Sequence, residues 1–330
     1  MSWYHIPGCE QDVAVCTRVR LSRNLEDFPY PARLDPARAR EIIGRVGAVL
    51  EKNGFSRQDF SDMTRSAAYT MAERQYVSAS ALSESLPHAL FLNEPCNLAV
   101  TVCAEEHIRL QSIRPGLELR DAAAGAFEVE AILDKALSFA FDERLGYLTR
   151  DPADLGTGLR AAVLLCLPVL ETIGQCRPLA QSLERTGQYL RRCGNSGLYL
   201  LSHRASAGIG EESLISALDA SARHIIAAER EIRATLDGEE RERLVDRVLR
   251  THAILRVARR LSEDELPSML SDLRLGAAMG LLQEVKVESV TAALIETQPA
   301  GLASLDGGSS ASPSDRDALR AQSVRERIVI

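Results

Sequence analysis

Lysine is almost missing from this chain: of 39 basic residues only Lys52, Lys135 and Lys286 are lysines, which leaves 36 arginines. No GxxxxGK[ST] loop occurs either, so a lysine-and-glycine cradle for a triphosphate is excluded. If this chain holds a polyphosphate, arginines must grip it, through the paired hydrogen bonds that a guanidinium offers and an ammonium does not. A coding bias toward arginine accounts for the count equally well. The seven cysteines are odd in number and form no CxxC pair, which argues against a disulfide framework or a zinc site and fits a reducing cytoplasm. Long apolar runs are absent: the longest, residues 161–170, is interrupted by Pro168 and falls well short of the roughly twenty residues a membrane span needs. The N-terminus lacks the basic-then-apolar layout of a secretory leader. Excess positive charge is absent too. A net charge of −7 and a pI near 5.5 give no electrostatic reason for a nucleic-acid or membrane partner.

What is present is ordinary for a globular chain: 330 residues, 45% hydrophobic and 26% charged. That length is about twice a usual domain, so one large domain with an appendage is expected. Residues 13–20, 98–102 and 198–202 have the apolar, β-branched content of strands. Asp35-Pro36 opens an amphipathic helix over 37–52 with Asp35 at its N-cap and Gly54 closing it. Residues 116–140 read as largely helical, 152–158 as a turn-rich loop, and 159–170 as an apolar segment. From 211 onward the pattern is almost wholly helical, over 211–236, 239–261, 263–275 and 287–297, with Asp237-Gly238 as a hinge. Residues 305–314 have linker composition, and a basic helix follows over 315–327. The expectation is an α+β domain over residues 1–236 followed by an all-helical one over 237–330.

Four segments could carry chemistry. Residues 16–24 read Cys-Thr-Arg-Val-Arg-Leu-Ser-Arg-Asn; on a strand, Arg18 and Arg20 share a face and could clamp phosphate oxygens. Residues 103–111 read Cys-Ala-Glu-Glu-His-Ile-Arg-Leu-Gln, which places carboxylates just beyond an apolar strand. His107 alone is more simply structural, and no second cluster has the spacing for zinc. In residues 141–163, Phe-Asp-Glu-Arg-Leu-Gly-Tyr-Leu-Thr is followed by Gly-Thr-Gly-Leu-Arg-Ala-Ala-Val, whose glycines permit close backbone approach to a ligand. Residues 316–321 read Arg-Asp-Ala-Leu-Arg-Ala, with Arg316 and Arg320 four apart on one helix face, as a small anion-binding fork or a plain exposed helix.

Together, in this order, these segments resemble the phosphagen (ATP:guanido) kinase superfamily, and within it the bacterial protein-arginine kinases of the McsB type. Residues 16–24 resemble its S-[ST]-R-[IV]-R-L-x-R-N, 103–111 its N-E-E-D-H-[IL]-R-I-Q, and 141–163 its F-D-E-R-L-G-Y-L-T-x-C-P-T-N-[LV]-G-T-G-L-R-A-S-V. Residues 271–280 resemble S-D-V-R-L-G-x-x-x-G, and 316–321 fit R-D-x-x-R-A. The resemblance implies an antiparallel sheet flanked by helices, and transfer of the γ-phosphoryl of Mg-ATP (ATP with Mg2+) to an arginine side chain of a protein. By motif position, Arg18, Arg20, Arg109 and Arg160 are its phosphate arginines. Thr17, Val19, Leu21, Gln75, Ala161, Ala162, Val163 and Leu164 complete its nucleotide-binding positions. Glu105 is the carboxylate that orients the acceptor and takes its proton. Arg316, Asp317 and Arg320 form a regulatory phospho-arginine site. The implied partners are arginine-bearing protein substrates, a Clp chaperone–protease, a zinc-finger activator protein and a second copy of the chain.

Departures from the pattern matter as much. Ala104 replaces the first Glu, which helps organise magnesium. Asp151-Pro152-Ala153-Asp154 replaces C-P-T-N and adds two negative charges, and Gln75 stands at a nucleotide-pocket His. The loop R-G-[TI]-[YR]-G-E, source of a fifth arginine and a second carboxylate, has no counterpart between residues 183 and 202. Arg185, Arg191 or Arg192 could stand in for the arginine and Glu184 for the carboxylate. Two expectations result: a kinase whose turnover these losses reduce, or an inactive pseudokinase that serves as a phospho-arginine-binding adaptor.

Overall fold

The computed structural model describes residues 2–194, 196–305 and 312–328. Its frame is an eight-stranded sheet with two further short strands: β1 (Ala14–Arg23), β2 (Phe55–Asp59), β3 (Ala89–Asn93), β4 (Leu98–Val102), β5 (Ile108–Pro115), β6 (Phe141–Asp142), β7 (Gly146–Tyr147), β8 (Leu159–Cys166), β9 (Gln188–Arg192) and β10 (Leu198–His203). The large sheet has the order β2-β3-β4-β5-β1-β8-β10-β9, and every neighbouring pair is antiparallel. The α+β expectation holds. The strand β1 lies at the centre, with Arg20 registered against Gln111 of β5 on one side and Arg160 of β8 on the other.

Eleven α-helices accompany the sheet among the described residues: α1 (Pro36–Leu50), α2 (Arg65–Glu73), α3 (Leu119–Asp134), α4 (Pro168–Thr172), α5 (Cys176–Glu184), α6 (Glu211–Thr235), α7 (Gly238–Val257), α8 (Leu266–Ala278), α9 (Val287–Glu296), α10 (Pro299–Leu305) and α11 (Pro313–Ile328). Helix α1 begins where Asp35 predicts, its carboxylate accepting from Ala37 N (2.9 Å) and Arg38 N (3.0 Å). It passes into a short 3-10 turn that closes at Gly54, with φ +82°. The helix expected over 116–140 is confined to α3, and the apolar stretch 159–170 divides at Leu167 into β8 and α4.

One face of the sheet buries Val19, Leu21, Ala161 and Val163 against Ile42 and Val46 of α1, Ala122 and Ala126 of α3, and Leu218 and Ile225 of α6. The other face packs Cys16, Leu90, Ala99 and Ile113 against Trp3, Tyr76 and Ile295 of α9. The C-terminal helices have their own core, including Val248, Leu270, Leu273, Val290 and Val324. Arg274 of α8 pins that unit to the start of β1. It is 3% exposed and donates to Thr291 Oγ1 (2.8 Å), to Ala14 O (3.1 Å) and to Gln11 O. Most of the linker expected over 305–314 lies outside the described residues.

Candidate active site

The alternation of β1 decides the site. Thr17, Val19 and Leu21 turn into the helix-covered core, which leaves Cys16, Arg18, Arg20 and Ser22 on the opposite face. Register carries the same division to neighbouring strands. Arg109 sits opposite Ser22 on β5, and Arg160 and Ala162 sit opposite Arg20 and Arg18 on β8. The four arginines converge. Burial pulls the Arg20 guanidinium well below the usual arginine range, and the neighbouring charges of Arg18, Arg109 and Arg160 pull it further. Burial likewise lowers Arg18, and Arg109 adds to the shift. The register puts all four on neighbouring positions of one sheet face, close enough for their charges to depress one another's protonation.

Around this cluster each cation is handled differently. Arg18 donates from Nη1 to Gln75 Oε1 at 3.1 Å, and Gln75, at φ +67°, also accepts from Gln111 Nε2 at its carbonyl. Arg109 Nη1 lies 2.6 Å from Glu105 Oε1. Arg160 donates from Nε to Asp154 Oδ1 at 2.8 Å, with Nη2 at 2.5 Å from the same oxygen. Among the described residues Arg20 makes no ion pair, which leaves the central guanidinium for a ligand. A cavity of about 750 Å³, large enough for a nucleotide, opens at the Arg18 end of the cluster; Arg20, Arg109 and Arg160 are not among its lining residues. Arg18, Ala162, Leu164 and Leu200 line it from the sheet, and Leu266, Leu294 and Thr297 line it from the C-terminal helices.

Glu105 stands at the end of the cluster. Burial pushes its carboxyl up, but Arg109 and the hydroxyls of Ser78 and Ser80 outweigh that and hold it below the usual carboxylate range. Ser78 Oγ and Ser80 Oγ both donate to Oε1, the latter at 2.5 Å, while the buried Oε2 accepts no hydrogen bond from the described residues. Such a carboxylate is ionised at neutral pH with one oxygen uncommitted, which suits it to gripping a guanidinium and receiving a proton. Its neighbour Glu106 is used differently. It is 3% exposed, accepts from Asn24 Nδ2 (2.7 Å) and Arg150 N (2.9 Å), and is pushed up by burial. His107 is structural, with Nδ1 accepting from Leu25 N (3.0 Å) and Nε2 within 2.9 Å of Pro29 O.

Several expected residues lie elsewhere. The side chains of Thr17, Val19, Leu21, Ala161 and Val163 point into the core. Thr17 Oγ1 donates to Gly116 O at 2.7 Å, so these five border the site only through the strands that carry them. The loop glycines serve packing: a Cβ on Gly158 would lie 2.4 Å from Arg23 Nη1 and 2.6 Å from Ser22 O. Of the stand-ins for a fifth arginine, Arg191 lines the cavity with Arg18, Arg192 pairs with Glu171, and Arg185 is exposed. Glu184 ends α5 beside the edge strand β9 and is exposed, so it is not placed opposite Glu105. Arg316 and Arg320 do not form an open fork. Arg320 is 2% exposed and donates to Thr297 O (3.1 Å), Leu261 O (2.8 Å) and Asp317 Oδ1 (2.6 Å), while Arg316 is half-buried. Ser78, Ser80 and Gln111 were missed as site residues, because single hydroxyls and amides carry no periodic signal; Asp154, marked in the sequence as an added negative charge, is placed against Arg160.

The profile of the ATP:guanido phosphotransferase C-terminal catalytic domain matches residues 41–232, and that of the protein-arginine kinase McsB C-terminal domain matches residues 241–329. A curated protein-arginine kinase of Symbiobacterium thermophilum is 34% identical over 339 residues, covering 99% of this chain and 96% of the relative. One of Brevibacillus brevis is 31% identical, covering 99% and 95%. Among solved structures, the duplicated taurocyamine kinase of Schistosoma mansoni with bound transition-state-analogue components matches with a TM-score of 0.62 at 22% identity. That match covers 72% of this chain and 37% of the other. A lombricine kinase matches at TM-score 0.60 and 19% identity, covering 69% of each chain. These structural likenesses bear on the fold.

Proposed function

The chain belongs to the ATP:guanido phosphotransferase family, and from that premise we propose that it transfers the γ-phosphoryl of Mg-ATP to arginine side chains of proteins. The observation that carries this reading is the placing of Arg18, Arg20, Arg109 and Arg160 on one sheet face, with Glu105 paired to Arg109 through Oε1 and its buried Oε2 accepting no hydrogen bond from the described residues. Phosphoryl transfer needs alignment and charge neutralisation more than covalent help. The cluster supplies preorganised positive charge where the transferring oxygens accumulate negative charge, and Arg191 extends it along the cavity. The apolar wall of Leu164, Leu198 and Leu200 receives the base. Glu105 Oε2 holds the acceptor guanidinium, aligns one nitrogen with the γ-phosphorus and accepts the proton released as the P–N bond forms, while the bond from the γ-phosphorus to the β,γ-bridging oxygen breaks and ADP leaves.

The chain's own residues do not fit a resident magnesium. Ala104 is 1% exposed and packed among apolar side chains, and no cluster of three or more metal-ligating groups occurs among the described residues. Magnesium is therefore assigned to the substrate, carried on the phosphates of ATP, and no step is routed through it. The pseudokinase reading is the weaker one, because an adaptor has no need of a half-buried carboxylate paired with Arg109 beside a central Arg20 that makes no ion pair among the described residues. We extend the proposal to a catalytic unit over 1–236, a regulatory helical unit over 237–330 that includes Arg316, Asp317 and Arg320, cytoplasmic location, homodimerisation, and Clp and zinc-finger partners. What supports these is the family resemblance.

The test is incubation of the purified protein with γ-labelled ATP and an unfolded substrate. Acid-labile, alkali-resistant label on arginine, lost in Glu105→Gln, is the expected result. Nucleotide binding without any label would overturn the kinase reading in favour of the adaptor.

A further inference from the structure

Among the described residues two carboxylates that the proposed transfer does not use face Arg160: the exposed Asp151, at 3.9 Å, and the buried Asp154, at 2.5 Å. Asp154 is 4% exposed at the end of the short turn Pro152–Asp154. Its Oδ1 takes the Nε and Nη2 edge of Arg160, and its Oδ2 accepts from Ser22 Oγ at 3.4 Å. It holds Arg160, which stands opposite Arg20 across β1 and β8, and so borders the cluster at the end of the sheet where β1 leaves and β8 enters; its charge opposes the lowering that the neighbouring arginines impose on Arg20. The motif that this loop resembles has a neutral asparagine here, which would keep an acceptor oxygen for Arg160 without the charge.

We propose that Asp154 is the resident anion of the phosphate cradle: it steadies the crowded guanidinium groups while the site is empty and limits how tightly the site holds a polyphosphate. Four guanidinium groups on adjacent strands repel one another, and an internal carboxylate offsets part of that repulsion. A phosphate entering the same space is of like charge to Asp154 and must share Arg160 with it. Asp154 is thus a specificity-determining residue for the anion, weakening polyphosphate binding and leaving the nucleoside untouched. The inference rests on reading the cluster as a polyphosphate site.

The test compares full-length wild type with Asp154→Asn by titration calorimetry against inorganic tripolyphosphate, ADP and adenosine. Removing one like charge at several ångströms and an effective dielectric near 20 tightens tripolyphosphate and ADP by about tenfold or more. Adenosine affinity stays unchanged, and the melting temperature of the empty protein falls. Unchanged or weaker tripolyphosphate binding by a folded variant overturns the inference, and so does an equal tightening of adenosine. Tighter tripolyphosphate with no ADP binding by either protein supports this inference while sinking the nucleotide reading. Should Asp154→Asn not fold, Asp154→Ser carries the same expectation.

Discussion

Replacing Arg20 with methionine separates what the site does for stability from what it does for ligand. Arg20 is central to the cluster, lies largely buried between Arg18, Arg109 and Arg160, and makes no ion pair among the described residues. Methionine has a similar length and no charge. In the empty protein the substitution removes a desolvated cation and three like-charge repulsions. A buried ion costs several kcal/mol before compensation; allowing for Asp154 and partial solvation, a net gain of about 1 kcal/mol follows, a rise in melting temperature of about 2 °C. In the ligand-bound protein the same substitution removes a direct cation–phosphate contact. At about 4 Å and an effective dielectric near 20 that contact is worth up to about 4 kcal/mol. Allowing for its lost desolvation, ADP affinity falls about a hundredfold. Stability and affinity therefore move in opposite directions. The assay is thermal unfolding without nucleotide alongside calorimetric titration with ADP. A variant that melts lower and binds ADP as wild type does would refute the reasoning, since Arg20 would then be a structural residue.

Other outcomes follow from the same geometry. Glu105→Gln keeps ADP affinity within about threefold but lowers kcat by about a thousandfold, because it removes the base and the acceptor grip while leaving the arginines in place; a parallel loss of ADP affinity in calorimetry would contradict this. Arg191→Ala raises the KM for ATP about tenfold, whereas Arg192→Ala, whose side chain pairs with Glu171 outside the cavity, leaves it unchanged; equal effects on both KM values would place neither in the site. His107 is held neutral by burial, its folded pKa lying below the usual value of 6.5. It therefore contributes stability that is present above pH 6.5 and lost as pH falls below it. Melting curves of wild type should lose more stability between pH 7 and pH 5.5 than those of His107→Gln, and parallel curves would contradict it.

Much of the site was legible because it sits on a strand. Arg18 and Arg20 announce themselves by two-residue spacing amid Val15, Val19 and Leu21, and the structure puts both on one face. Asp35 and Pro36 mark a helix start by local chemistry alone. What stayed hidden has physical reasons. The strand β5 does alternate Ile108 and Leu110 with Arg109 and Gln111, but Ser112 breaks the alternation after four residues, too short a run to stand out behind Glu105-Glu106-His107. The edge strand β2 (Phe-Ser-Arg-Gln-Asp) faces solvent for most of its length. The grip of Ser78 and Ser80 on Glu105 and of Asp154 on Arg160 joins residues through loops, and periodicity says nothing about loops. The glycines of the 152–158 loop were read as room for a ligand; Gly158 instead makes room for Ser22 and Arg23 of β1, and so sets where Arg160 begins its strand.

The most direct test of the central claim is a crystal structure with ADP and magnesium bound. Phosphate oxygens are expected within about 3 Å of guanidinium nitrogens of Arg18, Arg20, Arg109 and Arg160, with the base against Leu164 and Leu200. A nucleotide bound with its phosphates away from Arg20, or outside the cavity altogether, would contradict it.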